Sequence, residues 1–202
     1  MKSEKKPYHH GNLAESLLEA VDELATKFGL EAVTLRGCAK IVGVSPSSAF
    51  RHYADKRALL TAFATKALLQ LSELMVLAQT QALKDGSNAF TAVGLAYIGF
   101  ALDKPAFFRA MWREETTYTN DHAYIMATKK LSCHLQGGFA ATIADEDPHS
   151  FSPQELLAWS SVHGLAHLFV DGPIDKGESK QQKLATAETM IQALVPIFDA
   201  KP

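Results

Sequence analysis

The sequence predicts an all-α fold of about nine helices, a small three-helix unit at the N-terminus followed by a larger helical body. Three observations carry that expectation. Apolar residues recur at helical spacing along nearly the whole chain, the two-residue alternation of strands is almost absent, and helix-start and helix-stop residues bracket the apolar runs in succession. With 202 residues, 47% of them hydrophobic, the chain can bury a sizeable core. A mean hydropathy of -0.04 and a net charge of -2 place it with globular proteins rather than disordered or fibrous ones.

The elements follow in order. Asn12 with Glu15 makes an N-terminal capping pair, Leu13, Leu17, Val21, Leu24 and Phe28 follow at helical spacing, and Gly29 stops the run. Thr34 opens a short second helix ending at Val42-Gly43. Ser45-Pro46 starts a third, with Ser as N-cap and Pro at the first helical position. From Asp55-Lys56 a long fourth helix carries Leu59, Leu60, Phe63, Ala67 and Leu71 on one side and ends before Lys84-Asp85-Gly86. A fifth runs from Ser87-Asn88 to about Leu102, and Lys104-Pro105 leads into Phe107, Phe108, Met111 and Trp112. A polar break at 116–121 precedes a helix from about His122 to Ala144, then the turn Asp145-Glu146-Asp147-Pro148. Ser152-Pro153 with Glu155 starts a helix reaching Val170, closed by Asp171-Gly172-Pro173. A polar connection, 174–182, leads to the last helix, ending near Asp199. No repeat or low-complexity segment interrupts this order.

The segment from Thr34 to Lys56 is the most specific in the chain. Ala39 and Val44 are small where two short helices must cross, and Gly43 permits the tight turn between them. The charge pattern agrees. Residues 1–66 hold ten Lys and Arg against seven Asp and Glu, whereas the remaining residues are acidic. A basic head on an acidic body suits a small DNA footprint, because affinity follows local phosphate neutralisation. In a helix-turn-helix the N-terminal residues of the second helix meet base edges, flanked by basic and hydroxyl groups on phosphates. Arg51, His52 and Lys56 are placed to clamp the backbone, and Thr34 to set a helix N-terminus against a phosphate. Arg36 is the candidate for guanine, since its fork can meet O6 and N7 together.

On these residues the stretch Leu17 to Phe63 resembles the N-terminal domain of the TetR family of bacterial repressors, GVSPSSAFRHYADKRALL being similar to its recognition helix and the start of the linking helix. YHHGNL at 8–13 and the spaced Trp159, His163 and Gly164 resemble the subgroup with a Trp-His-Gly C-terminal domain. The resemblance implies a DNA-binding domain over 1–60, a ligand-binding and dimerisation domain over 61–202, and a homodimer joined through helices near 152–171 and 182–199. It implies a repressor that sits on a near-palindromic double-stranded operator and is released by a small molecule. Carried over by position, Thr34, Phe50, His52 and Lys56 fall on phosphates, and Arg36, Ser45, Pro46, Ser47 and Ser48 on bases. This sequence departs from the family pattern at Phe50, usually Tyr, and at Gly37, where a larger residue is common and glycine weakens the helix by about 1 kcal/mol.

For the ligand, the aromatic excess between 90 and 170 is the guide. Phe100, Phe107, Phe108, Met111, Trp112, Met126, Phe139 and Trp159 supply apolar walls, and His134, His163 and His167 polar anchors. Trp112 and Trp159 stand out because a buried indole N–H requires a partner. His163 and His167, four apart on one helical face, have a metal-compatible spacing without a third ligand, so no metal or other cofactor is expected. An activator, a regulator with a vestigial pocket, and a helical enzyme using His163 or His167 as base are the competing readings; no paired carboxylates or nucleophile–base pair favours catalysis. Cys38 and Cys133 make no disulfide framework. The N-terminus lacks the apolar run of a signal peptide, and Ala92 to Leu102 is too short to span a bilayer, so a cytoplasmic protein with no membrane partner is expected.

Overall fold

The computed structural model describes residues 12–137, 151–174 and 177–199. Tyr8 to Gly11, Phe139 and the turn at 145–148 lie outside them. Among the described residues the secondary structure is wholly helical: α1 (Leu13–Phe28), α2 (Leu35–Val42), α3 (Pro46–His52), α4 (Lys56–Asp85), α5 (Ala89–Asp103), α6 (Pro105–Met111), α7 (His122–Gly137), α8 (Pro153–Val170) and α9 (Lys180–Asp199). Two single 3-10 turns, Leu30–Ala32 and Glu114–Thr116, lie in segments the sequence reads as connections.

The helix ends fall where local chemistry puts them. Side-chain oxygens of Asn12, Thr34, Ser45, Asp55 and Asn88 each accept a backbone N–H of the first turn. At Ser152 the capping box is reciprocal: Glu155 N–H donates to Ser152 Oγ at 3.2 Å and Ser152 N–H to Glu155 Oε2 at 2.7 Å.

The core is organised around α4. Leu59, Leu60, Phe63, Ala67, Leu68, Leu71 and Met75 are buried along it. It packs against α1 on the head side and against α5, α6 and α7 in the body, while α5 carries α8 and α9 on its far side. Phe63 stacks on Phe107 of α6 with centroids 4.1 Å apart. Each such side chain contributes roughly 1.5–3 kcal/mol of burial, so α4 holds head and body in one continuous core. By length and hydropathy alone α4 is long and apolar enough to cross a membrane, a property that sequence reasoning missed. Its buried stripe is occupied by neighbouring helices, while Leu69, Leu74, Leu77 and Leu83 are exposed and Lys66, Gln70 and Glu73 line the outer groove. Gly94 sets the approach of α5 to α9, since a Cβ there would lie 2.8 Å from Ile191 Cδ1.

Candidate nucleic-acid interface and sensory cavity

The helix-turn-helix is built from its caps outward. Thr34 Oγ1 accepts Gly37 N–H at 3.0 Å, and a Cβ at position 37 would press on that same oxygen at 3.0 Å and on Leu24 Cδ1 at 3.3 Å. Glycine at 37 therefore relieves a crowded cap. Gly43 closes α2 in the left-handed region (φ +80°), a conformation other residues adopt only with strain. Beyond the turn Ser45 caps α3, and its Oγ lies 2.9 Å from both Ser47 and Ser48 Oγ, with Arg51 Nη2 donating to Ser48 Oγ at 3.3 Å. Cys38, Ala39 and Ala49 are buried where the two helices cross.

The opposite face is free. Thr34, Arg36, Lys40, Ser45, Pro46, Ser47, Phe50, Arg51 and His52 are exposed, with Ser48 half-buried beside them. Among the described residues no carboxylate lies within ion-pair distance of Arg36, Lys40 or Arg51. Lys56 differs from its neighbours. Its Nζ donates to the Glu31 carbonyl at 2.7 Å, which ties the start of α4 to the turn after α1 and leaves two ammonium protons for another acceptor.

Where the head meets the body, one short segment makes most of the polar contacts. Arg113 pairs with Glu31, and that hydrogen bond holds the Glu31 carboxyl below the usual carboxylate range. Arg57 Nε donates to the Thr117 carbonyl at 2.8 Å, and its guanidinium lies 4.7 Å above the Tyr118 ring. Tyr118 N–H donates to Thr61 Oγ1 at 2.8 Å. The Tyr118 hydroxyl donates to Asp55 Oδ2 at 2.6 Å, which, with Ala58 N–H on the other oxygen, keeps the α4 cap ionised below the ordinary range. A groove of about 550 Å³ opens beside this junction, but it is shallow and its rim carries Glu15, Lys66, Glu73 and Asp121.

The more enclosed cavity, about 390 Å³, lies between α4, α6, α7 and α8. Trp112, Trp159 and Phe151 form its aromatic wall and Leu68, Met111, Leu131 and Leu135 its aliphatic one. Trp112 and Trp159 have ring centroids 5.5 Å apart, and Phe151 stacks on Trp159 at 5.3 Å. Behind the indoles, Tyr97 of α5 is buried, its hydroxyl 2.8 Å from His163 Nδ1. Burial drives the Tyr97 pKa well above its ordinary value, and the nearby Trp159 and Trp112 N–H groups pull against it. Neither indole reaches the geometry of a full hydrogen bond among the described residues, and both Nε1 atoms are buried, turned toward the Tyr97 hydroxyl. Burial, then the neighbouring His167, lowers the His163 pKa to about 4, so its ring is neutral near pH 7.

Of the ligand residues expected from sequence, Met111, Trp112 and Trp159 line this cavity, and Phe108 and His163 pack directly behind it. The others fall elsewhere. Phe100 is sealed in the core 6.5 Å from Phe107, and Met126 is 52% exposed on α7. His134 is half-buried outside the cavity lining. His167 Nδ1 lies 3.5 Å from Asp171, whose other oxygen accepts from Arg109 at 2.7 Å. Among the described residues no three metal-binding side chains converge. Sequence reasoning missed Tyr97, Phe151 and Tyr118. Tyr97 carried a usable signal, a phenol one helical turn from Phe100 in an otherwise apolar helix; the pairing of Tyr118 with Asp55 carried none.

Known proteins match this architecture at both ends. Residues 17–63 match the family model described as bacterial regulatory proteins, tetR family, and residues 90–194 that described as tetracyclin repressor-like, C-terminal domain. An uncharacterized HTH-type transcriptional regulator, YobS of Bacillus subtilis (strain 168), is 24% identical over 135 residues, which span 65% of this chain and 68% of the relative. A protein of unknown function from Rhodococcus sp. RHA1 has a solved structure that superposes with a TM-score of 0.69 at 26% identity, covering 94% of this chain and 98% of that one. The TetR family transcriptional regulator PfmR of Thermus thermophilus shares the fold (TM-score 0.58, 16% identity, 87% and 94% covered). With a family model covering more than half its length and a second covering the helix-turn-helix, the chain belongs to the TetR family of DNA-binding transcriptional regulators.

Proposed function

We propose that the chain is a repressor that binds a near-palindromic operator as a homodimer and is released when a small molecule enters the cavity beside Trp112 and Trp159. The observation that carries this reading is the exposed face of the head, where Arg36, Lys40, Arg51 and His52 stand beside a hydroxyl cluster and no carboxylate among the described residues pairs with Arg36, Lys40 or Arg51. On it Thr34, Phe50, His52 and Lys56 contact phosphates, and Arg36 with Ser45, Pro46, Ser47 and Ser48 reads bases. Phe50, lacking a hydroxyl, offers the backbone only apolar contact.

Residues 1–60 form the DNA-binding domain and residues 61–202 the sensing and dimerising one, the division falling inside α4. Dimerisation through 152–171 and 182–199 is supported by α8, which leaves Leu156, Leu157 and Leu168 exposed and nothing within 4 Å of a Cβ built at Gly164. Trp159, His163 and Gly164 on that helix support the Trp-His-Gly subgroup. A cytoplasmic regulator without catalytic activity fits both family models.

Gel shifts on an inverted repeat in rising salt test the reading. With two or three cations per head on phosphates, log affinity should fall against log salt with a slope of roughly -4 to -5 for the dimer, and a cavity ligand should release the DNA. Absence of duplex binding at low salt refutes the regulator. Operator affinity unchanged by any molecule that occupies the cavity refutes the release mechanism.

A further inference from the structure

The rings that wall the cavity and the single charge at its mouth say what kind of molecule it takes. Tyr124, more than nine-tenths buried on α7, joins Trp112, Trp159 and Phe151 around one space of about 390 Å³. The polar edges of both indoles are turned away from that space, toward the Tyr97 hydroxyl, which is itself engaged with His163 at 2.8 Å. What the indoles leave for an occupant is ring carbon with its π electrons and no N–H donor. Thr128 Oγ1 donates to the Tyr124 carbonyl at 2.9 Å, so it too has only lone pairs to offer. Charge points the same way. Among the described lining residues the one ionised at neutral pH is Glu114, and no Lys, Arg or His joins it. Its side chain is exposed at the mouth and makes no ion pair among the described residues. Burial raises the Tyr124 pKa, the Thr117 hydroxyl pulls against it, and the Glu114 charge adds to the rise, so the carboxylate stands within reach of that ring. Lys129 lines only an adjoining hollow of about 220 Å³, beyond Glu114 and Tyr124. Ring π electrons, hydroxyl lone pairs and an uncommitted carboxylate all complement positive charge. An anion would lose its hydration without gaining a cation, and would face Glu114.

We infer that this cavity binds a small organic cation, an alkyl- or aryl-substituted ammonium, held by the Trp112, Trp159, Phe151 and Tyr124 rings and by the Glu114 carboxylate. The inference rests on the cavity being the sensory site of the proposed regulator, and it names the chemistry of the ligand. The apolar body of such a cation packs on Met111, Leu131 and Leu135. Its charge stays at the mouth, where Glu114 and water both reach it, so it is not stripped of all hydration. Within about 6 Å of a ring centroid it gains from the ring quadrupole as well.

Trp112 and Trp159 are the chain's two tryptophans, so quenching of the intrinsic fluorescence reports occupancy of this cavity. Three probes of similar shape are titrated into the full-length protein at fixed ionic strength: benzyltrimethylammonium, its neutral carbon isostere neopentylbenzene, and the anion phenylmethanesulfonate. The cation should bind roughly tenfold tighter than the hydrocarbon, and the anion more weakly than either. Glu114→Gln keeps the shape of an exposed side chain and removes its charge. It should cut the cation's advantage several-fold while the hydrocarbon binds as before. Trp159→Leu keeps an apolar wall and removes one ring, and it too should cut the advantage, read from the remaining Trp112; continued binding of the hydrocarbon reports that the variant's cavity persists. Equal binding of cation and hydrocarbon, tighter binding of the anion, or binding by none of the three overturns the inference. So does a cation preference unchanged in both variants. Benzyltrimethylammonium added to the operator complex, against an equal concentration of sodium chloride, separates the two levels: preferential binding without release of DNA keeps the ligand chemistry and refutes the release mechanism.

Discussion

Acid should destabilise this protein through His163, and the size of the effect can be worked from its surroundings. The ring is packed among Tyr97 and Phe108 from other helices and Trp159 on its own, with Trp112 edge-on at 4.9 Å and His167 at 4.6 Å. Beside it lie the Tyr97 hydroxyl and the His167 ring. Burial first and His167 second lower its pKa to about 4 from 6.5. The unfolded chain takes up the proton near 6.5 and the folded one only near 4, so stability from this group is complete above 6.5 and is lost as the pH falls between those values. Over that window the slope is about 1.4 kcal/mol per pH unit, and the integrated loss from pH 7.5 to 4.5 reaches roughly 2.5 kcal/mol at the limit. Partial access of water to the ring reduces this to about 1–2 kcal/mol. The assay is urea unfolding at fixed protomer concentration across pH 4.5–7.5 for the native chain and for His163→Gln, which keeps an acceptor near Tyr97 and cannot titrate. Groups out of contact with His163 cancel in the difference, which reports His163 together with its coupling to His167. The native chain should lose about 1–2 kcal/mol more than the variant on acidification. A difference flat with pH, or one opening in the opposite sense, refutes the buried neutral histidine.

Two further outcomes follow from the head and from the body. Arg36→Ala should flatten discrimination between operator variants at one position, costing roughly 1–3 kcal/mol on the preferred base, whereas Lys56→Ala should weaken all sequences alike and lower the salt slope; competition gel shifts distinguish the two, and discrimination left intact by Arg36→Ala removes it from base reading. In the body, Gly94→Ala should be close to neutral, because about 1 kcal/mol of helix propensity offsets a contact with the movable Cδ1 of Ile191, while Gly94→Val should cost about 1–3 kcal/mol as it also meets Val162; a neutral Gly94→Val in thermal unfolding would show that α5 and α9 are not in close contact.

The sequence revealed most where the governing chemistry is local. Caps at Asn12, Thr34, Ser45, Asp55, Asn88 and Ser152 act within one helical turn, so helix starts could be read to within a residue or two wherever such a residue stood. The last helix is capped as well, Ser179 Oγ accepting Gln182 N–H at 3.3 Å and Gln182 Oε1 accepting Ser179 N–H at 2.8 Å, a signal that sequence reasoning missed, and it begins at Lys180 rather than near 182. The cavity was harder because residue type alone does not say which side of a helix faces inward. On α7 the buried stripe is Tyr124, Ala127, Leu131 and Leu135, and Met126 falls between its turns. On α5 the aromatic residue that matters is Tyr97, one turn before the expected Phe100, and its hydroxyl is what distinguishes it. Contacts such as Tyr118 with Asp55 join residues more than sixty positions apart, beyond any local signal.

Those distant contacts bear directly on how occupancy of the cavity could reach DNA. Trp112, a wall of the cavity, is followed at once by Arg113, which holds Glu31 at the base of the head. The backbone of Glu31 accepts from Lys56 at the start of α4, and Thr117 and Tyr118 grip Arg57, Asp55 and Thr61 on its first turns. A ligand that displaces Trp112 would therefore act one residue away from the tether of the head, with no need for a signal to travel the thirty-residue length of α4. A tenfold loss of operator affinity is only about 1.4 kcal/mol. Arg113–Glu31 and Tyr118–Asp55 are contacts of partly exposed groups, which solvent screens, and a ligand would shift them only by binding the loosened arrangement more tightly than the other. The junction is accordingly polar, partly exposed and made of individually modest contacts, whereas the core side of α4 beneath it, Phe63, Ala67, Leu68, Leu71 and Met75, is buried.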